Sequence, residues 1–169
     1  MRRVSPDVDQ EFREFVMAER ASLLRFAVAL TADLGLAEDL VQVALIKCYP
    51  RWAKIRSEAP GSYVRASVLN AHRSSRRRLW RNELPTAHFP DAFAPVLRDA
   101  DHGGALLQAL AALTARQREV VTLRFLEDLD EKATAALLKI SVGTVKSTTH
   151  DALQRLKKTY PLLVEAEGR

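Results

Sequence analysis

The stretch from residue 129 to residue 156, LDEKATAALLKISVGTVKSTTHDALQRL, constrains the fold most, because it has the pattern of two helices joined by a very short turn. Asp130 and Ser141 are residue types that cap helix N-termini, and each precedes one of the two segments. The second segment has an apolar stripe, formed by Val145, Ala152, Leu153 and Leu156. Its other face carries hydrogen-bonding side chains that can reach base edges and phosphates in a major groove: Thr144, Lys146, Ser147, Thr148 and His150. The pattern predicts a helix-turn-helix whose second helix reads DNA.

An αα-hairpin inside an ordinary helical bundle is the alternative interpretation of the same stretch. Small residues on the first helix and a polar face on the second fit that arrangement as well. These residues favour DNA reading over simple packing only modestly, so the rest of the chain has to decide between them.

No segment shows the alternation of a β-strand, and the sequence predicts an all-α protein. Pro50 indicates that the helix of residues 36–55 bends or ends near Lys47. Residues 83–104 contain proline, glycine and acidic residues without periodicity, which is typical of a flexible interdomain linker. We therefore predict two small helical domains, at residues 1–82 and 105–169, of which the second contains the helix-turn-helix.

Positive charge is concentrated in the first half of the chain. The formal net charge is +5 for residues 1–80, −2 for 81–104 and +2 for 105–169. Five arginines lie between Arg73 and Arg81, and no acidic residue in that segment pairs with them. A solvated charged face is the alternative, but an unneutralised arginine row repels itself unless an anion binds it. We expect that anion to be nucleic-acid phosphate.

Other site chemistries find little support in the sequence. Cys48 is the single cysteine, which excludes an intrachain disulfide and a cysteine-based zinc site, and we expect it to be buried. The candidate metal ligands are all in the linker, where nothing would hold them together: His88, Asp91, Asp99, Asp101 and His102. We expect no catalytic residue, no metal and no cofactor. The chain lacks a membrane-spanning run and the apolar core of a signal peptide, so a soluble, cytoplasmic protein is expected.

Two motifs in the same order and spacing resemble a known family. They are AEDLVQ at residues 37–42, ahead of a loop and the arginine-rich helix, and the segment from Leu113 to Leu156. Together they resemble the extracytoplasmic-function (ECF, group IV) sigma factors, of the actinobacterial type, which are the smallest bacterial RNA polymerase specificity subunits. The resemblance extends from about Glu11 to Leu156.

The resemblance implies a non-catalytic subunit that binds core RNA polymerase, recognises promoter DNA and starts transcription. The polymerase β′ clamp helices would meet Glu38, Asp39 and Gln42. The −10 element would meet the loop of residues 56–61, where an unstacked base is trapped, and Arg65, Asn70, Arg73, Arg76 and Arg77. The −35 element would meet Arg124, Thr144, Lys146, Ser147, Thr148 and His150. The start of the second domain would meet the polymerase β flap, and an anti-sigma protein is a further implied partner.

The chain departs from the family pattern at a few positions. Val43 replaces an acidic residue that usually follows the motif glutamine, and Lys139 replaces a turn glycine. Thr148 and Asp151 occupy positions on the reading helix where the family usually has arginines. Because an arginine that binds guanine contributes about 1–3 kcal/mol of discrimination, we expect weak or unusual −35 recognition.

Two other functions compete with this interpretation. A stand-alone helix-turn-helix regulator explains the second domain but leaves the AEDLVQ helix and the arginine-rich helix without a role. A hydrolase that uses the histidine and aspartate residues of the linker fails because those residues have no scaffold.

Overall fold

The computed structural model describes residues 6–82 and 103–159, and these residues form helices and turns without a β-strand. The α-helices are α1 (Pro6–Thr31), α2 (Leu34–Cys48), α3 (Trp52–Ile55), α4 (Pro60–Asn82), α5 (Gly103–Ala112), α6 (Ala115–Val121), α7 (Glu131–Leu138) and α8 (Val142–Thr159). A 3₁₀ turn at Tyr49–Arg51 links α2 to α3, and a π-helical turn at Thr122–Leu126 extends α6. The predicted all-α class is confirmed.

The contacts divide the described residues into two units. Residues 6–28 and 34–82 belong to the first unit, and residues 29–33 and 103–159 belong to the second. The predicted linker lies outside the described residues, except that Gly103 and Gly104 already belong to α5. The domain boundaries at residues 82 and 105 stay a prediction.

The core of the first unit forms where the apolar stripes of its long helices meet. The helix α2 packs on α4, and Leu40, Ala44, Val64 and Val68 are all buried there. The helix α2 ends at Cys48, and Pro50 lies in the first positions of the following 3₁₀ turn. A residue there donates no hydrogen bond within the turn, so the missing N–H group of proline costs nothing. The predicted helix end near Lys47 is therefore confirmed.

Cys48 is 1% exposed, and burial raises the pKa of its thiol. We expect iodoacetamide at pH 8 to alkylate the native chain more than about 100-fold more slowly than the chain in urea, because reaction requires opening of the core. Mass spectrometry over time measures both rates. A Cys48→Ser, Met17→Cys variant is the control, since Met17 is 84% exposed. Native and unfolded rates within about threefold for Cys48 would contradict a buried thiol.

The second unit is built from helices whose ends are capped as the sequence predicts. Thr114 forms a capping box with Gln117 at the start of α6. The Asp130 carboxylate accepts a hydrogen bond from the Ala133 N–H at 2.7 Å, and the Ser141 hydroxyl accepts one from the Thr144 N–H at 3.0 Å. These two caps begin α7 and α8 and place them on either side of a short turn.

The helix α8 buries a narrower stripe than predicted. Val145 and Ala152 are fully buried and Leu156 is half-buried, but Leu153 is 40% exposed, so the prediction that Leu153 is buried was wrong. At 3.6 residues per turn, Leu153 lies about 80° around the helix from Val145, at the edge of the stripe.

The turn between α7 and α8 requires a left-handed residue at Lys139. Its φ is 54° and its ψ is 49°, and its N–H bonds to the carbonyls of Ala135 and Ala136. Glycine adopts this conformation at little steric cost, whereas other residues adopt it at a cost of about 1 kcal/mol. Lys139, which stands in place of a turn glycine, therefore holds a strained backbone conformation.

Lys139→Gly is expected to raise the free energy of unfolding by about 0.5–1 kcal/mol, because relief of strain exceeds the added entropy of the unfolded chain. Urea unfolding followed by circular dichroism measures the change. Lys132→Gly, at a right-handed helical position of α7, should instead lower the free energy by up to about 1 kcal/mol. The same sign for both variants would contradict this account.

Candidate functional site

A groove of about 630 Å³ lies between α1 and α2 in the first unit. Its floor is largely apolar, formed by Phe12, Leu24, Val41, Leu45, Ile46 and Tyr49. Its rim is charged or polar, formed by Asp9, Arg13, Arg20, Glu38, Asp39 and Gln42. The groove thus brings together the three α2 residues that the sequence singled out for polymerase binding. An apolar floor with a mixed charged rim is the arrangement found in protein-binding surfaces.

Ile46 is a groove residue that the sequence analysis missed. It is 64% exposed although it lies on a helix with an otherwise buried apolar stripe, and Val43 beside it is 38% exposed. The sequence did offer a signal for Ile46. It is an apolar residue that lies outside the stripe by which α2 packs on the core of the first unit. Ile46 continues the apolar lining of the groove onto the exposed surface of α2, and a contiguous apolar surface of this kind suits a contact with another protein.

The start of α1 is joined to the 3₁₀ turn and to the loop after α3. Tyr49 donates a 2.6 Å hydrogen bond to the Asp9 carboxylate, and Arg56 donates one of 2.6 Å to Glu11. The bond to Asp9 raises the pKa of Tyr49, and the bond to Glu11 raises the pKa of Arg56. Phe12 also contacts the ring of Tyr49, at 5.1 Å between centroids. These contacts hold the turn and the loop against α1.

A smaller cavity of about 340 Å³ lies beside that loop. Its walls come from the 3₁₀ turn, α3, the loop and the first turn of α4, and are formed by Arg51, Lys54, Ile55, Glu58 and Tyr63. The ring of Tyr63 is 43% exposed, and Arg51 and Lys54 are both exposed. Two cations next to an accessible aromatic ring suit a nucleotide, because the ring can stack on a base while the cations bind phosphate.

The helix α4 carries the predicted −10 residues in different settings. Asn70 and Arg77 are exposed, and Arg77 lies 3.3 Å from the Ser74 hydroxyl. Arg73 and Arg76 are half-buried. Arg65 is bound within the unit, because its guanidinium lies 3.3 Å from the Glu19 carboxylate and 2.5 Å from the Ser22 hydroxyl. The pairing of Arg65 with α1 was not expected from the sequence, since Glu19 is distant along the chain.

The helix α8 presents most of the predicted −35 residues to solvent. Thr144, Lys146, Ser147 and His150 are exposed and Thr148 is half-buried. The Thr144 and Ser141 hydroxyls are 2.8 Å apart, which orients Thr144 at the first turn of the helix. Lys146 lies 3.6 Å from the Glu131 carboxylate of α7, so DNA would have to compete with that pair.

Arg124 is the predicted −35 residue that lies off the reading helix. Its guanidinium donates a 2.5 Å hydrogen bond to the Leu129 carbonyl and lies 6.0 Å from the centre of the Phe125 ring. The bond to Leu129 holds the π-helical turn to the segment before α7, whereas the contact with Phe125 lies within the turn. The sequence could not show this second, structural use of Arg124.

Metal and membrane sites find no support in the described part of the chain. Residues 6–82 and 103–159 contain no cluster of histidine, cysteine or carboxylate side chains that could hold a metal ion. The candidate metal ligands of the linker lie outside those residues. Among the described helices, none is long and apolar enough to cross a membrane.

Comparisons with known proteins cover both units. The family model described as "Sigma-70 region 2" matches residues 15–82, and "Sigma-70, region 4" matches residues 103–156. The RNA polymerase sigma-E factor of Streptomyces avermitilis is 39% identical over 88% of this chain and 84% of its own length. The ECF RNA polymerase sigma factor SigL of Mycobacterium tuberculosis is 30% identical over 82% of each chain.

A solved structure shares the fold. The sigma factor RpoE of Bartonella quintana, crystallised with the anti-sigma factor NepR, has a TM-score of 0.64 and 24% sequence identity. The similarity covers 90% of this chain and 98% of that one.

Proposed function

The chain belongs to the sigma-70 family, in its extracytoplasmic-function group, and from this premise we propose how its two units divide the work of a sigma factor. A sigma factor binds core RNA polymerase and directs it to promoters. The observation that carries the proposal is the presence of both regions, in order, with an open groove on the first and an exposed polar helix on the second.

The groove between α1 and α2 is the surface for the β′ clamp helices. Its apolar floor would bury Ile46 on binding, and the rim residues Glu38, Asp39 and Gln42 would fix the orientation of the complex. Val43 stands where the family usually has an acidic residue and presents no charge to the clamp helices. The apolar contact therefore contributes a larger share of the affinity for polymerase than it would beside an acidic residue.

The cavity beside Tyr63 receives an unstacked base of the −10 element. Arg51 and Lys54 attract the strand, and Tyr63 offers a stacking surface. Beyond the cavity, Asn70, Arg73, Arg76 and Arg77 on α4 follow the phosphates, whereas Arg65 contacts DNA only if it leaves Glu19. The family resemblance implies that the loop of residues 56–61 and the helix after it trap the base, and we propose that Tyr63 and the 3₁₀ turn take part as well.

The helix α8 reads the −35 element with short polar side chains. Thr144, Ser147, Thr148 and His150 approach base edges, and Lys146 and Arg124 approach phosphates. Asp151 is exposed on the same helix, and its carboxylate repels DNA phosphate. The choice of promoter therefore relies more on the −10 element and on polymerase docking.

The remaining parts of the proposal follow from the family. Its members are non-enzymatic, so bond formation belongs to the polymerase and the chain itself needs no catalytic residue or cofactor. The neighbour from Bartonella quintana was solved with an anti-sigma factor, and we propose that such a protein also regulates this chain in the cytoplasm. Residues 1–82 and 105–169 act as separate modules joined by residues 83–104, with the start of the second module against the β flap.

Co-purification separates this function from that of a stand-alone regulator. The tagged chain, mixed with core RNA polymerase, should elute with it in a single complex on size exclusion. A regulator that acts alone would elute apart from the polymerase and still retard duplex DNA. The second outcome would leave the region 2 match at residues 15–82 without a function.

A further inference from the structure

The first turns of α1 contribute three carboxylates that contact the 3₁₀ turn and the residue after α3, the two segments that lead into the walls of the −10 cavity. Glu11 lies 2.6 Å from the Arg56 guanidinium, and Asp7 lies 4.0 Å from the same group. Asp9 accepts the hydrogen bond of Tyr49. Arg56 is the first residue after α3, and Tyr49 begins the 3₁₀ turn. Two of the segments that form the cavity, the 3₁₀ turn and the loop after α3, are therefore attached to one acidic helix end.

We propose that Glu11 is a positioning residue for the −10 loop, because it holds Arg56 against α1 and thereby fixes the wall of the cavity that the loop provides. The inference rests on the proposed function of the cavity. Arg56 then serves as a support for the loop, and Arg51 and Lys54 supply the charge that attracts the strand.

The charges around Arg56 favour this role over direct DNA binding. Its partner Glu11 and the nearby Asp7 neutralise the guanidinium, so a phosphate would have to displace a short ion pair and approach two carboxylates. Arg51 and Lys54 have exposed side chains on the cavity wall and lie on the 3₁₀ turn and α3. A cation that is already paired adds little to phosphate affinity, whereas it can fix the geometry of a loop.

If the inference is right, two variants lose discrimination alike and differ in the salt dependence of binding. Glu11→Gln frees the Arg56 guanidinium from its ion pair and loosens the loop. Binding to any single strand should therefore strengthen, and the slope of log affinity against log salt concentration should steepen by an amount that corresponds to about one more phosphate contact. Discrimination between a preferred and a scrambled strand should fall by about threefold to tenfold, in the lower part of the range of coupling between contacting residues. Arg56→Gln should lower discrimination by the same factor but leave the salt slope unchanged.

The controls use the same helix and the same ion pair. Glu14→Gln removes an identical charge one turn away, where Glu14 bonds to Gln10 at 2.8 Å, and it should leave discrimination unchanged. The double variant Glu11→Arg, Arg56→Glu reverses the pair and should recover discrimination, a result that a general loss of folding could not give.

The test measures binding of reconstituted holoenzyme to fork-junction DNA over a range of salt. The probes are the −10 strand most enriched by wild-type holoenzyme from a randomised pool and a scrambled strand of the same composition. Unchanged discrimination in Glu11→Gln, or a salt slope lowered by about one charge in Arg56→Gln, would overturn the inference while the proposed function stands. A wild-type holoenzyme that enriches no −10 strand would overturn both.

Discussion

Ile46→Asp is expected to weaken the binding of the chain to core RNA polymerase by about 100-fold, because a buried apolar contact is lost and a carboxylate is desolvated in its place. Ile46 is 64% exposed in the free chain, so its replacement should leave the fold intact. Fluorescence anisotropy of the labelled chain, titrated with core polymerase, measures the dissociation constant.

Met17→Asp provides the matched control for this variant. Met17 is also a large, exposed apolar residue of the first unit, at 84% exposure, but it does not line the groove between α1 and α2. Its replacement should change the dissociation constant less than about twofold, as expected for a surface substitution outside the interface. Equal losses in the two variants would place the polymerase contact elsewhere.

Asp151→Arg is expected to strengthen the binding of holoenzyme to a −35 duplex by about tenfold, because the reading helix gains a cation that can bind guanine or phosphate. Asp151 is exposed on α8, so the new side chain has room to extend. Binding to duplexes with an intact and a scrambled −35 segment, measured at several salt concentrations, gives the change.

The two duplexes separate base reading from general attraction. If the affinity rises equally for both duplexes, the new arginine acts through phosphate alone. If the affinity rises more for the intact duplex, part of the effect comes from base contacts. No change on either duplex would contradict the view that Asp151 weakens −35 recognition.

Local features of this fold could be predicted from the sequence because they depend on neighbours along the chain. The capping of α7 by Asp130, the end of α2 before Pro50 and the left-handed turn at Lys139 all follow from backbone chemistry within one helical turn. The apolar stripes were predicted nearly as well, and Leu153 was misassigned only because it lies at the edge of one.

Features that depend on residues far apart in the sequence could not be predicted. Ile46 is exposed beside a groove that residues of α1 and α2 form together, and the pairing of Arg65 with Glu19 joins α4 to α1. The ion pair between Glu11 and Arg56 is likewise visible only in the folded unit. Charge runs predict where anions would bind, but tertiary packing decides which arginines already have a partner, as Arg65 does in Glu19.

Initiation of transcription in vitro is the activity that a sigma factor must give to core polymerase. Purified core polymerase, a library of linear promoter fragments and labelled nucleotides are incubated with and without the chain. The account predicts run-off transcripts that depend on the chain, start downstream of a shared −10 sequence and disappear with Ile46→Asp. Transcripts that are identical with and without the chain would contradict it.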